Sequence, residues 1–240
     1  MDEFFITPIS KYSYTFPNPR EASDEGLLAY GGDLSPNRLL NAYRKGIFPW
    51  YNEGDPILWW SPNPRLVLYI NDFKVTKSFR KVLKNKQYRV YFDRDFRMVM
   101  KYCANTRKFK EGTWLIDEMQ EAYATLHEMG FAHSVEVYDE NDEFFGGLYG
   151  VSIGKAFFGE SMVSLKSNGS KIALKALSDV LESRGYDFID CQVPTEHLQR
   201  LGAKLVDRDI YLDELEASVS SGGDIGSWNS FEWEYRDGRW

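Results

Sequence analysis

Three polar side chains lie among apolar residues in two short segments, and their chemistry suits substrate positioning. Glu160 follows Phe-Phe-Gly, while Asp190 and Gln192 belong to the run FIDCQ. Residues two apart in a strand share a face, so Asp190 and Gln192 are predicted to point together, with Cys191 pointing away. An amide is no general base, but its carbonyl can accept a hydrogen bond from a substrate while its NH₂ donates to a carboxylate. The same residues could equally be a structural polar pair and an ordinary surface glutamate.

Strands and helices that would position these residues can be read from hydrophobic period and from capping residues. In the first 65 residues, Ser35, Pro36 and Gly46 mark a helix that carries Leu39, Leu40 and Tyr43. Further helices are predicted at about 75–85, 95–104, 117–129 and 170–184. Strands are predicted at 66–70, 88–92, 133–138, 144–153, 156–161 and 187–192, with a short one near 204–211.

This element order predicts an α+β protein with a small N-terminal α/β domain at residues 1–65. The catalytic part would be residues 66–216, since helix, three antiparallel strands, helix and strand is the order of the acetyltransferase-like (GNAT-type) fold. We expect a mostly antiparallel sheet flanked by helices. Residues 217–240 are Ser/Gly-rich and then aromatic and acidic, which is typical of an appended tail that is partly disordered.

Composition excludes several classes of protein. A hydrophobic content of 43% indicates a globular chain, and no apolar run is long enough to cross a membrane. The two cysteines and three histidines have no metal-ligand spacing, so no metal site is predicted. We expect a reduced, cytoplasmic protein that is a monomer.

Positive charge is concentrated in one segment of an acidic chain. Residues 74–110 carry a net charge of +11, whereas the whole chain carries −7. Such segregation attracts phosphates and predicts an RNA-binding surface, with Lys81, Lys84, Lys86 and Arg89 as contacts to an RNA backbone. A solvated helical face that binds nothing is the alternative.

Several motifs in one order resemble the leucyl/phenylalanyl-tRNA–protein transferases, over about residues 10–215. The motifs are FPNPREASDEGLLAYGGDLSPNRLLNAY (16–43), GIFPW (46–50), WWSP (59–62), TWL (113–115), GGLYG (146–150), FGESM (158–162) and IDCQ (189–192). The resemblance implies transfer of Leu or Phe, and less well Met, from aminoacyl-tRNA to proteins that begin with Arg or Lys. The product would be marked for the N-degron pathway, and no cofactor would be needed.

Residue roles follow from the resemblance by matched position. Trp50 and Trp114 would hold the 3′-terminal adenosine of the tRNA, and Glu160 would lie near the cationic acceptor. We assign Trp59 and Trp60 to the core and count Tyr43 among the substrate-binding candidates. The donor side chain needs an apolar pocket, for which the candidates are Leu148, Phe157, Leu174, Leu177 and Ile189.

For the reaction itself, we expect Asp190 to polarise and orient Gln192, which would orient the attacking amine. Transfer assisted by a tRNA hydroxyl, with the pair only positioning, is the alternative. Three other functions compete with this interpretation. An acetyl-CoA-dependent enzyme would need a glycine-rich loop, but residues 165–170 hold a single glycine. A tRNA-binding module would leave Asp190 and Gln192 unexplained, and a cell-wall peptide ligase would share the donor but not the acceptor.

Overall fold

The computed structural model describes residues 6–108 and 115–236, and over these residues the chain forms seven α-helices and two β-sheets. The strands are β1 (Thr7–Ile9), β2 (Leu27–Gly31), β3 (Phe48–Pro49), β4 (Leu58–Trp60), β5 (Arg65–Tyr69), β6 (Tyr88–Phe92), β7 (Ala132–Asp139), β8 (Phe144–Ile153), β9 (Ala156–Ser164), β10 (Phe188–Gln192) and β11 (Lys204–Val206). The helices are α1 (Pro36–Arg44), α2 (Lys77–Asn85), α3 (Phe96–Lys108), α4 (Asp117–Glu128), α5 (Gly169–Ser183), α6 (Glu196–Arg200) and α7 (Arg208–Ser220).

The larger sheet has the strand order β11-β5-β10-β9-β8-β7-β6 within the described residues. Its neighbours are antiparallel except for β9 and β10, which are parallel. A short turn at Gly154 and Lys155 joins β8 to β9, as the sequence predicts, whereas β9 reaches the parallel β10 through helix α5. The α+β prediction with a mostly antiparallel larger sheet is confirmed.

Local capping explains why several helices begin where they do. The Thr76 hydroxyl accepts from the Phe79 amide at the start of α2, and the Asp95 carboxylate accepts from the Met98 amide at the start of α3. Helix α5 begins at Gly169, where its backbone lies against β8. A Cβ at Gly169 would lie 2.6 Å from the carbonyl oxygen of Phe145. This close approach seats α5 on the larger sheet.

The smaller sheet has the order β1-β2-β4-β3 and comes from residues 7–60. The side chains of Trp59 and Tyr43 are fully buried in a core that also contains Phe158 of the larger sheet. On β9, Phe158 belongs to this core, while its neighbour Phe157 belongs to a second core with α5. Strand β9 therefore separates the two cores.

Near the C-terminus, the predicted short strand is present, but a helix that was not predicted follows it. The strand expected at 204–211 is only three residues long, and helix α7 follows it with Tyr211, Leu212 and Leu215 buried at helical spacing. Asp207 caps α7 and ends the strand. Residues 217–236 are not an appended tail, because the helix continues to Ser220 and Trp228 is buried in the second core.

No helix in the described part of the chain combines the length and the apolar character needed to cross a membrane.

Candidate active site

The two parallel strands β9 and β10 separate at the point where the predicted polar residues lie. Their pairing runs from Phe188 opposite Ala156 to Asp190 opposite Phe158. On the opposite edge of β10, the pairing with β5 is irregular between Asp190 and Gln192, and Gln192 adopts a left-handed φ of 63°. Beyond the last paired residues of β9 and β10, the side chains of Glu160 and Gln192 bridge the two strands.

Glu160 is a buried carboxylate that accepts three hydrogen bonds. Its Oε1 accepts from the Tyr43 hydroxyl at 2.8 Å and from the Gln192 amide nitrogen at 2.8 Å. Its Oε2 accepts from the Tyr123 hydroxyl at 2.7 Å. Burial raises the pKa of Glu160 to about 7, against the opposing effect of these three donors. The carboxyl therefore changes charge close to neutral pH.

Asp190 is fully buried. Arg65 on β5 donates to both carboxylate oxygens, at 2.9 and 2.7 Å, and the Tyr211 hydroxyl of α7 donates at 2.7 Å. Burial lowers the pKa of Arg65, but the charges and hydrogen bonds of Asp190 and Tyr211 together outweigh burial and raise that pKa. The bidentate geometry makes this a fixed ion pair that joins three elements.

The expected contact between the side chains of Asp190 and Gln192 is wrong. Asp190 Oδ1 instead accepts from the backbone amide of Gln192 at 2.9 Å, and the Gln192 side chain donates to Glu160. The physical reason is the left-handed backbone at Gln192, which breaks the two-residue alternation expected of a regular strand. Asp190 therefore fixes the backbone, and Glu160 fixes the amide.

An apolar cavity of about 280 Å³ opens beside Glu160 and Gln192. It is lined by all five residues predicted for a donor side-chain pocket: Leu148, Phe157, Leu174, Leu177 and Ile189. Trp50, Cys191 and His197 also line it. Tyr43 is buried behind Glu160 and is not among the lining residues, so it supports Glu160 instead of facing the cavity. The arrangement can hold an apolar group next to a carboxylate and an amide.

Aromatic residues at the mouth differ in exposure. Trp50 is 43% exposed, whereas Trp59 is fully buried, as expected of a core residue. The Trp60 indole donates to the Trp50 carbonyl at 2.7 Å, and their rings lie 5.8 Å apart. The packing of Trp60 holds the exposed indole of Trp50 beside the cavity. Trp114 lies outside the described residues.

The basic segment lies on α2, β6 and α3. Lys81, Lys84, Lys86 and Arg89 are all exposed. Lys86 pairs with Glu234 at 2.5 Å, and Arg89 donates to the Glu140 carbonyl. Acidic residues from distant parts of the sequence thus offset part of the charge counted along the segment, and α2 keeps an exposed basic face.

Sequence reasoning missed the residues that support the site from behind. Arg65 lies 125 residues before its partner Asp190, and Tyr123 lies 37 residues before Glu160. Neither position carries a local signal, because Tyr123 has the pattern of a core residue on α4. A carboxylate is costly to bury without a compensating partner, so burial of Asp190 requires a group such as an arginine nearby.

Comparison with known proteins identifies the family of this chain. The model of the leucyl/phenylalanyl-tRNA protein transferase family matches residues 67–216, and the model of its N-terminal domain matches residues 32–63. The leucyl/phenylalanyl-tRNA–protein transferase of Sulfurimonas denitrificans is 54% identical over 211 residues, covering 88% of this chain and 91% of that protein. The protein of the same name from Legionella pneumophila (strain Lens) is 49% identical over 217 residues, covering 90% and 97%.

Among solved structures, L-PGS from Bacillus licheniformis overlaps with a TM-score of 0.37 at 13% identity, over 72% of this chain and 57% of that one. The sequence matches carry the assignment. The chain belongs to the leucyl/phenylalanyl-tRNA–protein transferase family and is an aminoacyltransferase that uses aminoacyl-tRNA as its donor.

Proposed function

We propose that this enzyme transfers Leu or Phe, and less well Met, from aminoacyl-tRNA to cytoplasmic proteins that begin with Arg or Lys. The product would carry an N-terminus that marks it for the N-degron pathway. The observation that carries the proposal is the apolar cavity that ends at the hydrogen-bonded pair of Glu160 and Gln192. One cavity thus offers a site for an apolar side chain and, at its end, a charged site for an amine.

The donor side chain occupies the apolar part of the cavity in this proposal. Leu148 and Phe157 come from β8 and β9, Leu174 and Leu177 from α5, and Ile189 from β10. Three strands and a helix make a wall whose shape is fixed by core packing. Such a wall selects by shape, at roughly 1–3 kcal/mol per methylene group.

The terminal adenosine of the tRNA stacks on Trp50 at the mouth. An exposed indole that lines the cavity gives a base a flat apolar surface, which contributes about 1–3 kcal/mol for a stacked base. The acceptor stem then extends toward the basic face of α2, where Lys81 and Lys84 contact phosphates without reading sequence. Lys86 and Arg89 extend the same surface.

The reaction is aminolysis of an ester. The acceptor nitrogen attacks the carbonyl carbon, the bond from that carbon to the ribose oxygen breaks, the amine loses a proton and the ribose oxygen gains one. An α-amine has a pKa near ~8, so part of it is neutral at pH 7. Gln192 Nε2 donates to Glu160, so its Oε1 is directed away from that carboxylate and can accept from the attacking amine.

The charge of Glu160 provides the preference for a cationic acceptor. Ionised Glu160 is the acidic group that lines the cavity, and it favours the positive charge of an N-terminal Arg or Lys. Asp190 cannot take this role because Arg65 already neutralises it. Asp190 acts as a positioning residue through the Gln192 backbone.

We assign the larger sheet to the acetyltransferase-like (GNAT-type) class. Antiparallel β7, β8 and β9 are followed by α5 and then by β10, which is parallel to β9 and diverges from it at the cavity. In this arrangement the separated strand ends form the reaction site.

The test is a transfer assay with purified protein and [¹⁴C]Leu-tRNA. Three peptides that differ only in their first residue, Arg, Lys or Ala, serve as acceptors. We expect label in the Arg and Lys peptides and none in the Ala peptide. Equal labelling of all three peptides, or of none, would contradict the proposal. An Nα-acetylated Arg peptide is the matched control, because it keeps the cationic side chain but lacks the nucleophile.

A further inference from the structure

Residues 221–236 run along the outside of the second core, beyond the region matched by the family models. Trp228 is the centre of this segment and is fully buried. Its backbone amide donates to Asp93 Oδ2 at 2.7 Å, and its ring stacks on His133 with the centroids 3.7 Å apart. The same carboxylate oxygen contacts His133 Nδ1 at 2.9 Å, so Asp93 fixes both stacked rings.

Trp228 also contacts the wall of the cavity. Its ring centroid lies 6.0 Å from that of Phe157, which lines the cavity and is fully buried. On β8, Gly150 leaves room for the Phe157 ring, because a Cβ there would lie 2.5 Å from Phe157 Cε1. Phe157 is thus confined by Gly150 and by Trp228. Of these two residues, only Trp228 can be replaced by a smaller one.

A second contact ties the segment to the other wall of the cavity. The Trp233 indole donates to Asp179 Oδ2 at 2.9 Å. Asp179 lies on α5, the helix that supplies Leu174 and Leu177 to the cavity. The segment therefore contacts Phe157 of β9 and helix α5, both of which form part of the cavity wall.

We infer that Trp228 is a positioning residue that sets the depth of the donor side-chain cavity by holding Phe157 in place. The inference rests on the proposed assignment of this cavity to the donor side chain. Packed interiors leave few voids, so removing the indole behind Phe157 gives its ring space to withdraw. A deeper cavity accommodates the longer Phe side chain better and fits Leu less closely. Selectivity between donors would then depend on a residue that does not touch the substrate.

The test compares kcat/KM for Phe-tRNA and Leu-tRNA in the wild type and in Trp228→Leu, with an Arg peptide as acceptor. We expect the Phe-to-Leu ratio to rise about 10-fold, the size of a shape effect in an apolar pocket. The change should lie mainly in KM for Leu-tRNA. An equal fall for both donors, with the ratio unchanged, would overturn the inference, because a merely structural role lowers both alike.

Two further variants make the comparison secure. Trp228→Phe keeps an aromatic ring on His133 and should shift the Phe-to-Leu ratio in the same direction but by less. This variant can replace Trp228→Leu if the latter does not fold. An unchanged ratio in Trp228→Phe would likewise overturn the inference. Trp59→Phe, a buried tryptophan outside the cavity lining, is the matched control and should leave the ratio at the wild-type value. Failure of the wild type to transfer either donor would instead contradict the proposed function.

Discussion

At the scale of single residues, the orientation of one amide decides what the site can do. The Gln192 amide nitrogen lies 2.8 Å from Glu160 Oε1, and a carboxylate that is ionised can only accept. The carbonyl end of Gln192 is therefore directed away from Glu160 and remains able to accept a hydrogen bond. Glu160 therefore has two roles, because it sets the orientation of the Gln192 amide and also supplies negative charge.

Glu160→Gln should lower kcat/KM about 100-fold, because the new amide no longer fixes the orientation of Gln192 and carries no charge. The pH dependence should change as well. With a pKa of about 7, Glu160 is protonated below that value and gains its charge as the pH rises through it, so wild-type activity should rise across this range.

The check is a pH–rate profile from pH 5.5 to 9 with one Arg peptide. The α-amine of the peptide also loses a proton near pH ~8, and that second rise should persist in the variant. A step near pH 7 that remained in Glu160→Gln would show that another group titrates there.

At the scale of secondary-structure elements, the buried ion pair joins strands and a helix. Arg65 on β5, Asp190 on β10 and Tyr211 on α7 are linked by hydrogen bonds of 2.7–2.9 Å to the Asp190 carboxylate. Removing one partner of a buried pair leaves the other charge without compensation.

Asp190→Asn should therefore destabilise the fold by about 3–5 kcal/mol, as judged from urea unfolding. The control is Tyr211→Phe, which removes a single hydrogen bond to the carboxylate and should cost about 1.5–3 kcal/mol. Equal stability of Asp190→Asn and the wild type would contradict the structural role assigned here to this pair.

Helix α2 carries two exposed lysines of the basic segment, Lys81 and Lys84. Lys81→Ala/Lys84→Ala should weaken tRNA binding and make the slope of log K against log salt shallower by about 2, near one unit per lost contact. A filter-binding series over salt concentration measures the slope. Lys11→Ala/Lys204→Ala removes two exposed lysines outside the basic segment and should leave it unchanged. An unaltered slope in the α2 variant would refute the phosphate contacts.

The sequence was informative where structure depends on neighbours along the chain. Period-two alternation and the Gly154–Lys155 turn predicted β8 and β9, whereas the candidates for the cavity lining came from the family resemblance. Contacts between distant residues were not accessible in this way. The left-handed φ at Gln192 follows from a bulge that no local pattern marks, and it redirected the amide from Asp190 to Glu160. Helix α7 was missed although Tyr211, Leu212 and Leu215 have helical spacing.

At the scale of the whole molecule, the smaller sheet and the larger sheet share a core. Tyr43 of α1 donates to Glu160 of β9, and the buried Trp59 lies in the same apolar cluster as Phe158. The site is thus assembled from both parts of the chain, since Trp50 comes from the first and Gln192 from the second.

A shared core predicts one cooperative unfolding transition for the two parts. Tryptophan fluorescence reports on both, because Trp59 lies in the smaller sheet and Trp228 in the second core. We expect fluorescence and far-UV circular dichroism to give the same urea midpoint. Separate midpoints would show that the two parts unfold independently. The Trp59→Phe variant would then identify which transition belongs to the smaller sheet.

The most direct measurement is a crystal structure of the enzyme with an adenosine that carries phenylalanine in a non-hydrolysable 3′-amide linkage. We expect the phenyl ring to lie among Leu148, Phe157 and Ile189, the adenine to stack on Trp50, and the reacting carbonyl to lie beside the carbonyl oxygen of the Gln192 amide. A ligand with its phenyl ring outside this cavity, or with its carbonyl remote from Gln192, would contradict the assignment of the cavity as the site of transfer.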